Sequence, residues 1–250
     1  MSNNSRLESI DTLRGFTMIG MILYHFCWDL KFINRFDMPW YGTKWTYIWQ
    51  QSICWSFILI SGFCLHFAKK PIKNGMIVFA CGLIVTAVTL VALPKSPVIF
   101  GVLTLHGSAM ILVAFGDKLI KKRPKPAIIL WALLFAITKT INKGYLCFGF
   151  SKLYLPEALY GKELHQGMKN LHLTYLGFKQ EGFVSSDYFS ILPWIFLFLT
   201  GFFLYDLLEH DFNNKAFHID IKPFSWLGKH SLLIYMLHQP VLYGISMLLG

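Results

Sequence analysis

The stretch MIVFACGLIVTAVTLVAL, residues 76–93, contains no charged residue, and its only hydroxyls belong to Thr86 and Thr89. A helix that crosses a bilayer needs about 20 mainly apolar residues, and this run qualifies with almost nothing to spare for a soluble surface. A second run of the same kind, AIILWALLFAIT, occupies residues 127–138. Working outward from these two gives seven expected spans: 11–33, 48–68, 74–93, 98–117, 126–142, 187–208 and 228–249. The composition agrees. Of 250 residues, 55% are hydrophobic and only 14% charged, against about 25% charged in an ordinary soluble domain. Mean hydropathy is +0.49. These values exclude disorder, a coiled coil and a soluble nucleic-acid binder, despite a net charge of +10. The expected fold class is an all-α integral membrane protein, a bundle of about seven transmembrane helices forming a single domain over 1–250.

On such a protein the positive charge reports topology. One set of loops holds Arg6, then Lys69, Lys70 and Lys73, then Lys118, Lys121, Lys122, Arg123 and Lys125, then Lys215, Lys222 and Lys229. The opposite set holds Lys31, Arg35, Lys44 and Lys95, and five lysines spread along 143–186. Short basic loops stay on the cytoplasmic side, so the N-terminus is expected inside and the loop 143–186 outside. That loop carries Tyr145, Phe148, Tyr154, Tyr160, His165, His172, Tyr175, Glu157 and Glu163, and is read as a partly folded extracytoplasmic cap. Cys27, Cys54, Cys64, Cys81 and Cys147 form no CxxC pair and read as packing residues. The first apolar run carries Arg14, His25 and Asp29 and is followed by no small-residue cleavage site, unlike a signal peptide.

The first span, DTLRGFTMIGMILYHFCWDLKFI, is the informative one. At 100° per residue, Asp11, Arg14, Met18, His25 and Asp29 fall within about 60° of one line, and Arg14 and His25 are separated by a rise of roughly 16 Å. One face of an apolar helix therefore presents an acid, a base, an imidazole and an acid. An ionisable group near mid-membrane costs at least a few kcal/mol, so it faces protein or water and marks a functional site by default. A histidine four residues from a carboxylate suits general-base chemistry, the acid orienting the ring and stabilising the imidazolium. Comparing depths on the other spans adds His106, Asp187, Trp194 behind an expected kink at Pro193, and the pair His238 and Gln239. Lys229 and His230 stand near the cytoplasmic start of the last span, suited to phosphate. His66, His210 and His218 are assigned to no site. No HExxH, Cys/His cluster, GxSxG, Walker or dinucleotide fingerprint is present, so the expectation is no metal and no nucleotide hydrolysis.

RLESIDTLRGFTMIGMILYHFCWDL (6–30), DYFSILPWIFLFLTGFFL (187–204) and FSWLGKHSLLIYMLHQPVLYG (224–244) closely resemble the opening and closing segments of the heparan-alpha-glucosaminide N-acetyltransferase catalytic-domain family, in its short bacterial branch. A fainter similarity reaches the integral-membrane sugar O-acyltransferases. The resemblance implies a membrane enzyme of the bacterial cytoplasmic membrane that uses acetyl-CoA to acetylate an amino or hydroxyl group of an extracytoplasmic sugar or glycolipid, and a homodimer is consistent with it. The histidine that fits the wider pattern is His25. The stretch FDMPWYGTKWTY (36–47) has no histidine where the lysosomal member carries its proposed catalytic one, which favours direct transfer with His25 as general base over an acetyl-histidine. Asp29 would support His25, and His106 or His238 would donate to the oxyanion. Arg14, Lys229 and His230 would hold the phosphates of CoA, while Asp187, Trp194 and Gln239 would meet the acceptor. The competing class is a proton-coupled transporter using the buried His and Asp groups as a relay, and a third is a scaffold that keeps the fold without the activity.

Overall fold

The computed structural model describes residues 7–116, 123–161 and 170–249. Expected features on Arg6, Lys118, Lys121, Lys122, Lys162, Glu163, His165 and Lys169 lie outside the described residues. Seven helices of 15 residues or more answer the seven apolar runs: α1 (Glu8–Phe32), α2 (Lys44–Cys64), α3 (Pro71–Ala92), α4 (Val102–Gly116), α5 (Pro124–Thr138), α7 (Ile191–Leu208) and α9 (Ser231–Leu249). The described residues also form two short helices, α6 (Leu171–Leu176) and α8 (Lys222–Lys229), one hairpin, β1 (Tyr145–Phe148) with β2 (Ser151–Tyr154), and short 3-10 turns. Prolines open α3, α5 and α8 within their first two positions, where no helical N–H is lost. Among the described residues, five stretches are long and apolar enough to cross a membrane: Lys44–Phe67, Pro71–Ala92, Pro124–Lys143, Ile191–Asp211 and Ser231–Leu249. The charges of α1 keep it out of that set. So does the length of α4, whose 15 residues rise about 22 Å against a hydrocarbon core of about 30 Å.

The chain divides into two compact units, residues 1–60 with 208–250, and residues 61–207. In the first, α1 is the common element, packed by α8 and α9. Met18, Met21 and Ile53 are buried together, with Ile22, Tyr24, Trp49, Ile234 and Tyr235 against them. The contact of α1 with α8 is made backbone to backbone. A methyl added to Gly15 would stand 1.8 Å from the Phe224 carbonyl oxygen, and one on Gly228 would stand 2.0 Å from that of Asp11.

The second unit is centred on α3 against α4. Gly75 and Gly107 face each other there, and Gly82 touches the backbone of Thr104. The segment before α4 is irregular rather than helical, and it hydrogen-bonds with residues 185–189: Ser186 N donates to Pro97 O (3.0 Å) and Phe189 N to Phe100 O (2.8 Å). This moves two expected helix starts, from Val98 to Val102 and from Asp187 to Ile191. His106 therefore lies about 6 Å into α4 by rise, and Trp194 in the first turn of α7. Leu192 is non-helical, so regular α7 begins at Pro193. Within 143–186, the described residues 143–161 and 170–186 include β1, β2 and α6. Tyr175 of α6 donates to Thr104 O (3.1 Å) and contacts Ser108 Oγ, while Gln180 Nε2 donates to Leu159 O and Phe178 O (2.7 and 2.9 Å).

One boundary is corrected outright. The last run does not begin at 228 as a single span: α8 stops at Lys229, His230 leaves the helical region, and α9 starts at Ser231. The reason is local. In α8 the polar Lys222, Ser225 and Lys229 share one side and Phe224 and Leu227 another, so it is an amphipathic helix ahead of a mostly apolar one.

Candidate functional site

The stripe on α1 faces the interior of the first unit, with Asp11, Met18 and Asp29 buried. At its far end α1 meets α9. The rings of His25 and His238 lie 5.0 Å apart, centroid to centroid, tilted by 56°, with Tyr24 edge-on to His25 and Tyr235 beside His238. Gln239, the next residue, donates Nε2–H to Asp29 Oδ1 at 3.0 Å. One turn later Asn34 donates to Ser246 O (2.7 Å). The cluster is closed toward the α1–α2 loop by Lys31, which reaches Met38 O (3.0 Å) and Tyr41 O. Tyr41 is itself buried and donates to Tyr24 O (3.3 Å), and burial pushes its hydroxyl well above the ordinary phenol range.

Four buried atoms in this cluster have no hydrogen-bond partner: Asp29 Oδ2, Asn34 Oδ1, His238 Nε2 and Gln239 Oε1. Buried polar atoms are nearly always satisfied, and a concentration of exceptions calls for an explanation. Their chemistry is uniform. His238 Nδ1 lies 2.6 Å from Tyr235 O; a carbonyl only accepts, so Nδ1 carries the proton and Nε2 of the neutral ring carries a lone pair. All four orphaned atoms are then acceptors, and they suit a ligand that brings N–H or O–H groups. The same argument bears on the role expected for His238. A neutral ring with Nδ1–H engaged cannot donate from Nε2 to an oxyanion, whereas it can take a proton there.

Asp29 is not hydrogen-bonded to His25, although the two are one helical turn apart. Its bonded partner is Gln239, from a helix 210 residues away in sequence. Asn34 was missed by the sequence reading. It follows the last turn of α1, where an asparagine reads as an ordinary helix-end residue; its position five residues after Asp29 was the available signal.

At the other end of α1, Arg14 Nη1 approaches Gly228 O (3.4 Å) and Asp11 Oδ1 (3.8 Å). The crossing of α1 with α8 thereby brings Arg14 beside the C-terminal end of α8, where Lys229 and His230 are exposed. His230 Nδ1 bonds Trp226 O (2.9 Å) and its ring lies 4.7 Å from that of Trp226.

The remaining predicted residues belong to the second unit and are engaged within it. His106 is buried, its Nδ1 2.7 Å from Val102 O. Asp187 accepts from Val102 N (3.2 Å), so its carboxylate caps the start of α4. Trp194 packs against Phe135 and Phe189, with centroids 5.4 and 5.0 Å away. His66, assigned to no site, is stacked between Phe202 and Tyr205 (4.2 and 4.1 Å), its Nε2 3.1 Å from Phe202 O and 3.8 Å from Asp206.

The chain matches the family described as heparan-alpha-glucosaminide N-acetyltransferase, catalytic, over residues 6–240. No curated protein and no solved structure matches the chain. The matched span covers α1 through the Asp29–Gln239 pair, so the cluster lies inside the region that defines the family. The chain belongs to the heparan-alpha-glucosaminide N-acetyltransferase catalytic-domain family.

Proposed function

We propose that the protein is a membrane-embedded acetyltransferase that moves an acetyl group from acetyl-CoA to an amino or hydroxyl group of a sugar or glycolipid, with His25 as general base. All seven long helices cross the bilayer in this reading, the N-terminus is cytoplasmic, and the membrane is that of a bacterial cell. Family membership supports the reaction class. The observation that carries the assignment to particular residues is the set of unpartnered acceptors around His25 and His238.

The thioester supplies an activated acetyl carbonyl. His25 takes the proton of the acceptor N–H or O–H as that atom attacks the carbonyl carbon; a C–N or C–O bond forms, the C–S bond breaks, and the proton passes from the imidazolium to the departing sulfur. His238, with its Nε2 lone pair beside His25, stabilises the transient positive charge and holds the ring in place. Asp29 Oδ2 and Gln239 Oε1 receive hydrogen bonds from the acceptor. Arg14, Lys229 and His230 hold the CoA phosphates, and the roughly 16 Å rise from Arg14 to His25 suits the length of a pantetheine arm. His106, Asp187 and Trp194 serve the packing of the second unit in this reading.

The test is acetyl transfer by the purified protein from labelled acetyl-CoA to a panel of amino sugars and neutral sugars, with His25→Ala alongside. The expected result is product formation abolished in the variant, with its melting temperature and its stabilisation by acetyl-CoA unchanged. Near-normal activity in His25→Ala removes the base assignment. Uptake driven by a pH gradient with no acetylated product, in protein that acetyl-CoA does not stabilise, replaces the enzyme reading with a transporter.

A further inference from the structure

The side of α1 opposite the polar stripe carries a second feature. Ser9, Leu13 and Phe16 recur at helical spacing and, at 100° per residue, point about 180° away from the line through Asp11, Arg14, His25 and Asp29. Between this face and residues 216–224 lies a groove of about 300 Å³. Its walls are Leu13, Phe16, Ile219, Ile221 and Phe224. The two hydroxyls at its base are already used. Ser9 Oγ donates to Ala216 O (2.6 Å) and accepts from Ile219 N (2.9 Å); Thr12 Oγ1 donates to Ile219 O (3.2 Å) and accepts from Ile221 N (3.3 Å). What remains for an occupant is hydrocarbon and ring surface.

The rim carries two lysines. Lys215 and Lys222 flank the wall segment, both are exposed, and neither is ion-paired among the described residues. Of the acids nearby, Glu8 is paired with His218 (3.1 Å), and Asp220 accepts from the hydroxyl of Ser225 while keeping its charge. Beyond the rim runs the amphipathic α8, with Trp226 more than half exposed. A helix with lysines on its polar side and an exposed tryptophan, standing at the end of membrane helices, lies in the headgroup plane, where lysines attract anionic lipid.

We propose that this groove binds one acyl chain of an anionic phospholipid, whose phosphate is held by Lys215 and Lys222. The apolar walls accept the chain, the two lysines select the headgroup, and the site stands on the face of α1 turned away from the His25 cluster. It is independent of the acetyl-transfer reading, since it uses none of the residues assigned to donor or acceptor.

The test uses delipidated full-length protein in detergent, titrated with phosphatidylglycerol or with phosphatidylcholine of matched chains, with bound lipid counted by native mass spectrometry. Phosphatidylglycerol is expected to be retained at least tenfold better, and Lys215→Gln with Lys222→Gln to erase that preference. Ala216→Trp fills the groove and is expected to remove the retained lipid. Ile219→Ser serves the same purpose by withdrawing apolar wall, should the larger side chain prevent folding. Melting temperature without lipid confirms that each variant is folded. Equal retention of the two lipids by the unmodified protein, or unchanged retention in the variants, overturns the proposal. Displacement of the lipid by acetyl-CoA also overturns it, because the groove would then belong to the donor.

Discussion

Two polar regions, one in each unit, hold histidines set in the same way and yet differ in character. His238 and His106 each direct Nδ1 to a backbone carbonyl of their own helix, at 2.6 and 2.7 Å, so both neutral rings share a tautomer. Around His238 stand a second histidine, a buried carboxylate and two amides with acceptor atoms to spare. His106 precedes Gly107, where α4 touches the backbone of α3, and a methyl on that glycine would lie 2.5 Å from Phe79 N. One ring faces a polar cluster and the other is part of a helix crossing. A fixed tautomer does not make a site; the unsatisfied neighbours do.

The comparison can be broken most directly by exchanging activity for stability. His238→Ala is expected to lower acetyl transfer by about 10²-fold, because the protonated His25 loses the neighbour that stabilises it and holds its ring, with little change in melting temperature. His106→Gln is expected to keep activity within about tenfold and to lose stability instead, by about 1 kcal/mol for a buried hydrogen bond. The reverse pattern, read in one assay and one melting series, would move the reaction to the second unit. Next in size is Gly15→Ala. Its new methyl meets backbone rather than a movable side chain, so the loss should reach or exceed the upper part of the 1–3 kcal/mol typical of overpacking, with Gly228→Ala behaving alike. A mild effect there would mean that α8 can shift freely on α1. Gln239→Leu sharpens the picture on a smaller scale. It takes away the donor to Asp29 and should cost about 1–3 kcal/mol in thermal unfolding, while leaving the second unit's behaviour unaltered.

The smallest effect is in pH. Glu8 and His218, ahead of the crossing part of α1, share a 3.1 Å bond. The bond from His218 holds Glu8 below its usual 4.5, and the bond to Glu8 raises His218 above 6.5. The carboxylate's contribution is present above about 4.5 and is lost as pH falls through its lowered value. The imidazolium's contribution is complete below about 6.5 and is lost as pH rises through its raised one. The pair therefore stabilises most between these limits. Glu8→Gln should remove a slight melting-temperature advantage measured near pH 5.5 and change nothing near pH 9.

Most of the helical layout was legible because hydropathy decides it: each of the seven apolar runs became a helix. What escaped were edges set by partners far along the chain. Residues 98–101 read as the start of a span but are irregular, held by hydrogen bonds with residues 185–189. The break at His230 was hidden inside FSWLGKHS, where an amphipathic turn shades into an apolar one. In the site, the helical phase of α1 put His25 and Asp29 on one face, and depth alone suggested His238. The actual partner of Asp29 could not be read from spacing, since Gln239 is 210 residues away. Nor could the tautomer of His238, which depends on where Tyr235 points its carbonyl.

That separation has a consequence for biogenesis. The first unit joins residues 1–60 with 208–250, so α1 is synthesised long before α9 exists. At translation rates of about 5–20 residues per second, the 210 residues between Asp29 and Gln239 leave the carboxylate waiting roughly 10–40 s for its amide. Through that interval Asp29 lacks the amide that bonds it in the folded protein, and a ribosome stalled before residue 239 leaves the carboxylate without it.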